Sequence, residues 1–413
     1  MKAFYPLAGI FALATAGAAF ADCPAGTTEV TAGVCKLQGT YTSDLTLSNR
    51  NQYLLSGGVF IGQDGGQTAV LSIQAGTTIK GESGRDYLVV NRGSRLEANA
   101  SKASPIVFTS DRQVRGGWGG LVINGRAPIN GCTSGVCEAE GEGSTGKYGG
   151  SDPSDNSGTL RFVRVEYAGF QITPDNELNG IAFQGVGSGT TVENVQVFMA
   201  ADDGVEFFGG TVNVRNLVVV GARDDSIDWV NGWTGNVQYA VVKQLDDEAN
   251  NGIEADNLQS DAAALPRSLP EISNLTLIGT TSGAAKGGDG IHLRRGSGLR
   301  LYNSIVTGFK NSCLNIDDAG TFNKDNLTME ATVLFCGKTF DEQPTDPFSI
   351  SQWFLAGASN VVKNPNLNGA VSPQSQVLTT PVTPDNFFFE EVDFVGAIRS
   401  SAQDWTKGWT KGL

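Results

Sequence analysis

The sequence predicts an all-β chain wound into a right-handed parallel β-helix, a solenoid with a loop-rich C-terminal cap. Three observations predict it. Paired aspartates recur at a constant 22-residue step: Asp202-Asp203, Asp224-Asp225, Asp246-Asp247. Short apolar runs precede them with the same step, starting at Val195, Leu217 and Tyr239. The chain holds 54 glycines but only 17% charged residues, with no heptad or long amphipathic helical pattern. A period of about 20–25 residues built from short strands and turns marks a solenoid, in which each coil buries its apolar side on its neighbours.

Residues 1–21 read as a secretory leader: Lys2, a mostly apolar run over 7–20, and an A-x-A site at Ala19-Phe20-Ala21. Residues 22–40 form a cysteine-bearing start. The coils are expected over 41–338. Leu71 to Lys80 and Leu88 to Glu97 carry one phrase twice, with Gly76 and Gly93 at the bends. There and beyond, apolar and polar residues alternate, as in a strand with one buried face. Residues 131–159 break the rhythm with a polar, glycine-rich insertion, expected to be a solvated loop; Glu138, Glu140, Glu142, Asp152 and Asp155 in it do not match EF-hand spacing. Strand starts at Val163, Val195, Leu217, Tyr239, Leu275 and Ile305 are expected to align. Residues 339–413 are rich in proline, and the aromatic residues at 387–389, Phe394, Trp405 and Trp409 are expected to cover the open end of the last coil, whose strand edges need protection.

The six cysteines fall after the leader, an even number that favours disulfides in an exported chain. Cys23/Cys35 and Cys132/Cys137 are close pairs; Cys313 and Cys336 are about one coil apart and would stack. A net charge of −14 repels nucleic acid and anionic lipid, and no stretch is long enough to span a membrane. The single histidine excludes multi-histidine metal centres. The glycine-rich stretch 185–189 precedes a strand, so it is not a phosphate loop.

The phrases GTTIKG, RGSRLEA, PIVFTS, WGGLVINGRAPIN, GEGSTGKYGG, DNSGTLRFVRVEYAG, DNELNGIAFQGVGSGTT, DDGVEFFGG and the closing VDFVGAI with DWTKGWT resemble those of a largely uncharacterised family of exported Gram-negative bacterial proteins with the pectin-lyase-like superfold. The resemblance implies a β-helix that is periplasmic, on the cell surface or secreted. It carries over no catalytic set, and the superfold serves lyases, hydrolases, adhesins and passive surface proteins alike.

Aligned by eye, the coils place Ala182, Glu206, Asp228, Glu254, His292 and Asn315 in one column, with Val205, Ile227, Ile253, Ile291 and Leu314 pointing inward beside it. Coils about 4.8 Å apart bring ionised carboxylates within roughly 3 kcal/mol of mutual repulsion at an effective dielectric near 20. Three roles are open. The aspartates shape stacked bends by accepting backbone N–H groups. Alternatively Asp202, Asp224 and Asp246 ligate calcium, a cation suited to oxygen donors, with Asp203, Asp247 and Asp289 completing the ligand-binding set. In the third, the face is catalytic: Asp225 or Asp228 is the general acid of a glycoside hydrolase, Glu206 or Glu254 its partner carboxylate, and His292 and Arg294 hold substrate. A lyase would need a bridging cation and a base drawn from Arg294, Arg295 or Lys243. Trp229 and Trp233 are candidates for stacking on sugar rings, although Trp229 falls on an inward position. The function expected is that of an exported scaffold or binding protein, with a polysaccharide or an envelope protein as partner; the alternative is a polysaccharide-degrading enzyme using the same face.

Overall fold

A computed structural model describes residues 20–132, 134–173, 176–281, 288–372 and 378–413. The expected leader, apart from its last residues, lies outside the described residues. Twenty-seven strands form one sheet that winds on itself as a parallel β-helix. Among the described residues only the first pair, Thr28–Thr31 with Val34–Tyr41, is antiparallel within it. The fold expected from the repeat is the fold observed.

Three walls make up each coil. The first is built from Tyr87–Val90, Gly120–Asn124, Ile181–Gln184, Val205–Phe208, Ile227–Val230, Ile253–Ala255, Ile291–Leu293 and Leu314–Ile316, each pairing in parallel with the next. The strands Thr191–Phe198, Asn213–Val220, Asn236–Lys243 and Glu271–Ile278 each supply the other two walls. They bend at one residue with positive φ: Asn194, Asn216, Tyr239 and Asn274. The register makes these four equivalent. Asparagine tolerates this left-handed conformation better than most side-chain-bearing residues, which suits it to a repeated corner.

That corner corrects one alignment. Leu217 pairs with Ala240 rather than Tyr239, a step of one residue more, because the 231–235 turn is longer than its predecessor. Ile305 likewise pairs with Thr276, not Leu275. The coils also exceed the expected limits of 41 and 338. Val34–Tyr41 already pairs in parallel with Gln52–Ile61, and Val361–Val362 still pairs with Val333–Phe335.

The interior is a continuous apolar column. Phe183, Phe207 and Trp233 stack within it, with centroids 5.4 and 3.9 Å apart. Trp229 and Trp233 are fully buried, so neither is available to stack on a sugar. All three expected disulfides are present: Cys23–Cys35, Cys132–Cys137 and Cys313–Cys336. No described helix is long and apolar enough to cross a membrane.

The terminal segment is placed differently from expectation. The short helix Ile350–Ala356 closes the last coil by burying Ile350 and Phe354 in the core. The aromatic tail instead runs along the outside. Val395 packs on Ile305 and Val333, Ala397 and Ile398 on Val241, and Trp409 on Val218 and Val220. The reason lies in the third wall: Leu217 and Val219 face the core, but Val218 and Val220 beside them are apolar too. A strand apolar on both faces needs cover on both.

Candidate functional site

The register sets Ala182, Glu206, Asp228, Glu254, His292 and Asn315 directly beside one another along the outer side of the first wall. Asp341 continues the row. The row is not a solvated face. The 131–159 insertion folds over its upper end. Tyr148 and Cys137 pack with Ile129, Leu178 and Phe208 on Val89, Val122 and Ala182. Asn231 donates to the Tyr148 hydroxyl at 2.9 Å. The insertion is therefore a cover rather than a solvated loop. Its acids take separate roles: Glu138 pairs with Arg92, Asp152 and Asp155 cap local turns, and Glu142 faces the row.

A second row runs through the turn that enters each of these strands. The side chain of Asn179 accepts the Asp203 N–H at 3.3 Å, Asp203 that of Asp225 at 2.9 Å, Asp225 that of Asn251 at 2.7 Å, Asn251 that of Asp289 at 2.8 Å, and Asp289 that of Ser312 at 2.9 Å. Each acceptor satisfies a buried backbone donor one coil away. The glycine that follows is there for space: a Cβ on Gly204 would lie 2.4 Å from Val219 and 2.5 Å from the Ser226 carbonyl. Asn-Gly-Ile at 179–181, Asp-Gly-Val at 203–205, Asn-Gly-Ile at 251–253 and Asp-Gly-Ile at 289–291 are the sequence trace of this ladder. It was open to sequence reasoning but masked by the more conspicuous aspartate pairs.

Asp246 and Asp247 do not join that ladder. Asn250 and Asn251 occupy the expected place, because four added residues loop the third pair outward. Thr280 donates to Asp246, and Arg115 pairs with Asp247 at 2.7 Å. Asp246 therefore does not sit with Asp202 and Asp224 as a third ligand. Asp289 is in register, but its oxygens accept from Ser312 and, at 3.0 Å, from Asn315. Lys243 lies on another wall, donating to the Gly412 carbonyl.

The structure gathers the remaining carboxylates into two overlapping groups. Oxygens of Asp203, Asp225 and Asp228 lie within 4.8 Å of one another, as do oxygens of Asp202, Asp203 and Asp224. Asp203 and Asp225 are 7% and 3% exposed, and Glu206 is 8%. The ladder uses one oxygen each of Asp203 and Asp225. Asp228 Oδ1 is buried and has no hydrogen-bond partner. Asn179 donates to Glu206 at 2.5 Å. Beside the more exposed group of Asp202, Asp203 and Asp224, a cavity of about 210 Å³ is lined by Gln171, Glu177, Asp202, Arg223, Asp224 and Glu248.

Electrostatics divides the row. Burial, reinforced by neighbouring carboxylates, pushes Asp203, Glu206, Asp225 and Asp228 well above the usual carboxylate range. Burial and nearby Glu177 lift Glu142 to about 7. Burial raises Glu254 too, but Arg294 opposes it. Arg294 pairs with Glu254 and, at 2.7 Å, with Asp256, which also binds Arg295 at 2.6 Å. His292 Nε2 lies 3.0 Å from Asp317, and its Nδ1 lies 3.9 Å from Glu254. The lower end of the row is thus paired directly with arginine, whereas Asp228 and Asp225 feel Arg294 only at a distance, too weakly to offset their burial.

The family of the pectate-lyase-like β-helix domain matches residues 39–410. The chain belongs to that family. No curated protein and no solved structure matches it. Membership in the pectate-lyase-like family accounts for the coil and agrees with a polysaccharide-related or extracellular setting, with which the three disulfides are compatible.

Proposed function

We propose that the protein is an exported, cation-binding β-helix that serves as a scaffold or binding protein in the envelope or outside the cell. One observation carries this reading: Asp228 Oδ1 is buried without a partner, in a group with Asp203 and Asp225 that has no arginine or lysine bound to it among the described contacts. An unpaired buried carboxylate is costly, and the group must either hold protons or meet a cation. The donors fit a hard divalent ion of the calcium type, which takes carboxylate oxygens. Asp203, Asp225 and Asp228 would hold it. Bound there, it would supply positive charge that relieves their mutual repulsion.

Thermal unfolding of the mature protein with EDTA and with added calcium tests this. The melting temperature should rise with calcium and fall on chelation. An unchanged melting temperature in both conditions removes the proposal.

A second reading is a glycoside hydrolase acting on the same face. It is favoured by the pairing of Glu206 with Asp228 on adjacent coils, whose strand spacing of about 4.8 Å is near the roughly 5 Å between carboxyls associated with retention, and by the upward shift of both groups. Glu206 or Asp228 would hold the proton for the leaving oxygen, with His292 and Arg294 positioned to meet substrate. Reducing-sugar release from neutral and acidic glycans, abolished in Asp228→Asn, is the outcome this reading requires. No release from any glycan by the folded protein rejects it.

A further inference from the structure

A second cavity lies on a different wall, between the corner of the coils and the terminal segment. Its volume is about 310 Å³, within the range of about 300–1,000 Å³ typical of small-molecule sites. Arg215, Tyr239, Glu390, Arg399, Gln403 and Trp405 line it, with Phe394 beside them. We infer that this cavity is a binding site for a neutral mono- or disaccharide, separate from the acidic row.

The first ground is Tyr239. The equivalent corner residues before and after it are Asn216 and Asn274, as the left-handed backbone favours. Tyr239 holds the same conformation at φ 63° without asparagine's ease there. Phe162 holds the equivalent corner of an earlier coil at φ 51° but packs on Trp409, whereas Tyr239 lines the cavity. The Tyr239 ring lies within 6° of parallel to Phe394 at 6.4 Å, and its hydroxyl donates to Glu390 at 3.0 Å.

The second ground is the lining. Flat aromatic surfaces with a polar end suit sugar rings, whose axial C–H groups are apolar and whose hydroxyls need both donors and acceptors. Here the acceptor is Glu390 and the donors are Arg215, Arg399 and Gln403. The third ground is charge. Arg215 pairs with Glu390 at 3.2 Å, and Arg399 pairs with Asp393. The cavity is therefore locally neutral in a chain of net charge −14. A charged sugar gains nothing there that it would not lose in breaking these pairs.

Titration of the mature protein with cellobiose, maltose, lactose and digalacturonate, followed by tryptophan fluorescence, tests the inference. Trp405, half-buried in the lining, is the reporter. At least one neutral disaccharide should give a saturable change and bind more tightly than digalacturonate. The exposed-rim variant Arg399→Ala/Gln403→Ala should weaken binding tenfold or more, while Asp228→Asn leaves it unchanged. Tyr239→Asn, which restores the corner residue of the neighbouring coils, should also abolish binding. No saturable change with any neutral disaccharide, tighter binding of digalacturonate, or undiminished binding in the folded rim variant would each overturn it. The insensitivity expected of Asp228→Asn separates this site from the cation site, so either can fail alone.

Discussion

Asp203 accepts the backbone N–H of Asp225 at 2.9 Å, and the two stand one coil apart in a ladder that continues through Asn251 and Asp289. The bend-shaping role is therefore filled by the same residues to which the proposed cation site is assigned. One oxygen of each shapes the bend, and each has an oxygen within 4.8 Å of one on Asp228.

The ladder makes a clear stability prediction at Asp289, away from the acidic group. Asp289→Ala strands the buried Ser312 N–H and removes the bonds to the Ser312 hydroxyl and Asn315. It should cost on the order of 2–3 kcal/mol. Asp289→Asn keeps an acceptor and should cost less than half as much. Urea unfolding of the two variants distinguishes them.

At Asp228 the expected direction is opposite. Replacing it by asparagine removes one charge from a group whose oxygens lie within 4.8 Å, where each ionised pair repels by roughly 3 kcal/mol at an effective dielectric near 20. In EDTA at neutral pH, Asp228→Asn should melt higher than the parent. In calcium the order should reverse, since the variant has lost a ligand. Melting curves in the two buffers check both halves.

The pH dependence follows from the same shifts. Asp203, Glu206, Asp225, Asp228 and Glu142 all have folded pKa values above their unfolded ones. The stability linked to them is full below about pH 4, where the unfolded carboxyls titrate, and is lost as pH rises through the folded values. For Glu142 that loss runs upward from the ordinary carboxylate range and is complete near pH 7. In EDTA the protein should therefore become less stable as pH rises from about 5 to about 7, and calcium should flatten that decline. A decline of equal steepness with and without calcium would count against the cation site.

The end of the solenoid is open to the same kind of test. Phe354 is fully buried against the last coils and tilts against Phe340 with centroids 5.5 Å apart. Phe354→Ala should cost about 3–5 kcal/mol. Amide exchange should then speed up in Val333–Phe335 and Val361–Val362 before it does so in the earlier coils.

The coil and the row from Glu206 to His292 were legible because the first-wall strands from Val205 to Leu293 each set a polar residue between two inward apolar ones. Ile227-Asp228-Trp229 shows the pattern, and it fixes register to the residue. The aspartate period misled at its third repeat. An asparagine amide accepts a backbone N–H as well as a carboxylate does, so Asn251 replaced Asp247 without a visible gap. Nothing local in 131–159 marked it as a cover, because its few apolar side chains, such as Tyr148, are spread among glycines. The doubly apolar run at 217–220 did signal that something lies over the third wall. It did not say that the cover would be the terminal segment, a contact between residues nearly 200 positions apart, as with Val220 and Trp409.

That terminal segment has a mechanical consequence. A repeating coil touches only its neighbours and is free to fray one turn at a time. Here Val382 is bonded to Asn303, Glu390 to Gln238, Trp409 to Arg164 and Lys411 to Gln196 and Glu166. A single ribbon thus laces together turns far apart in the stack. Ending the chain at residue 380 should convert one sharp calorimetric transition into a broad or stepwise one, with the laced body yielding as a unit and the cut one unzipping.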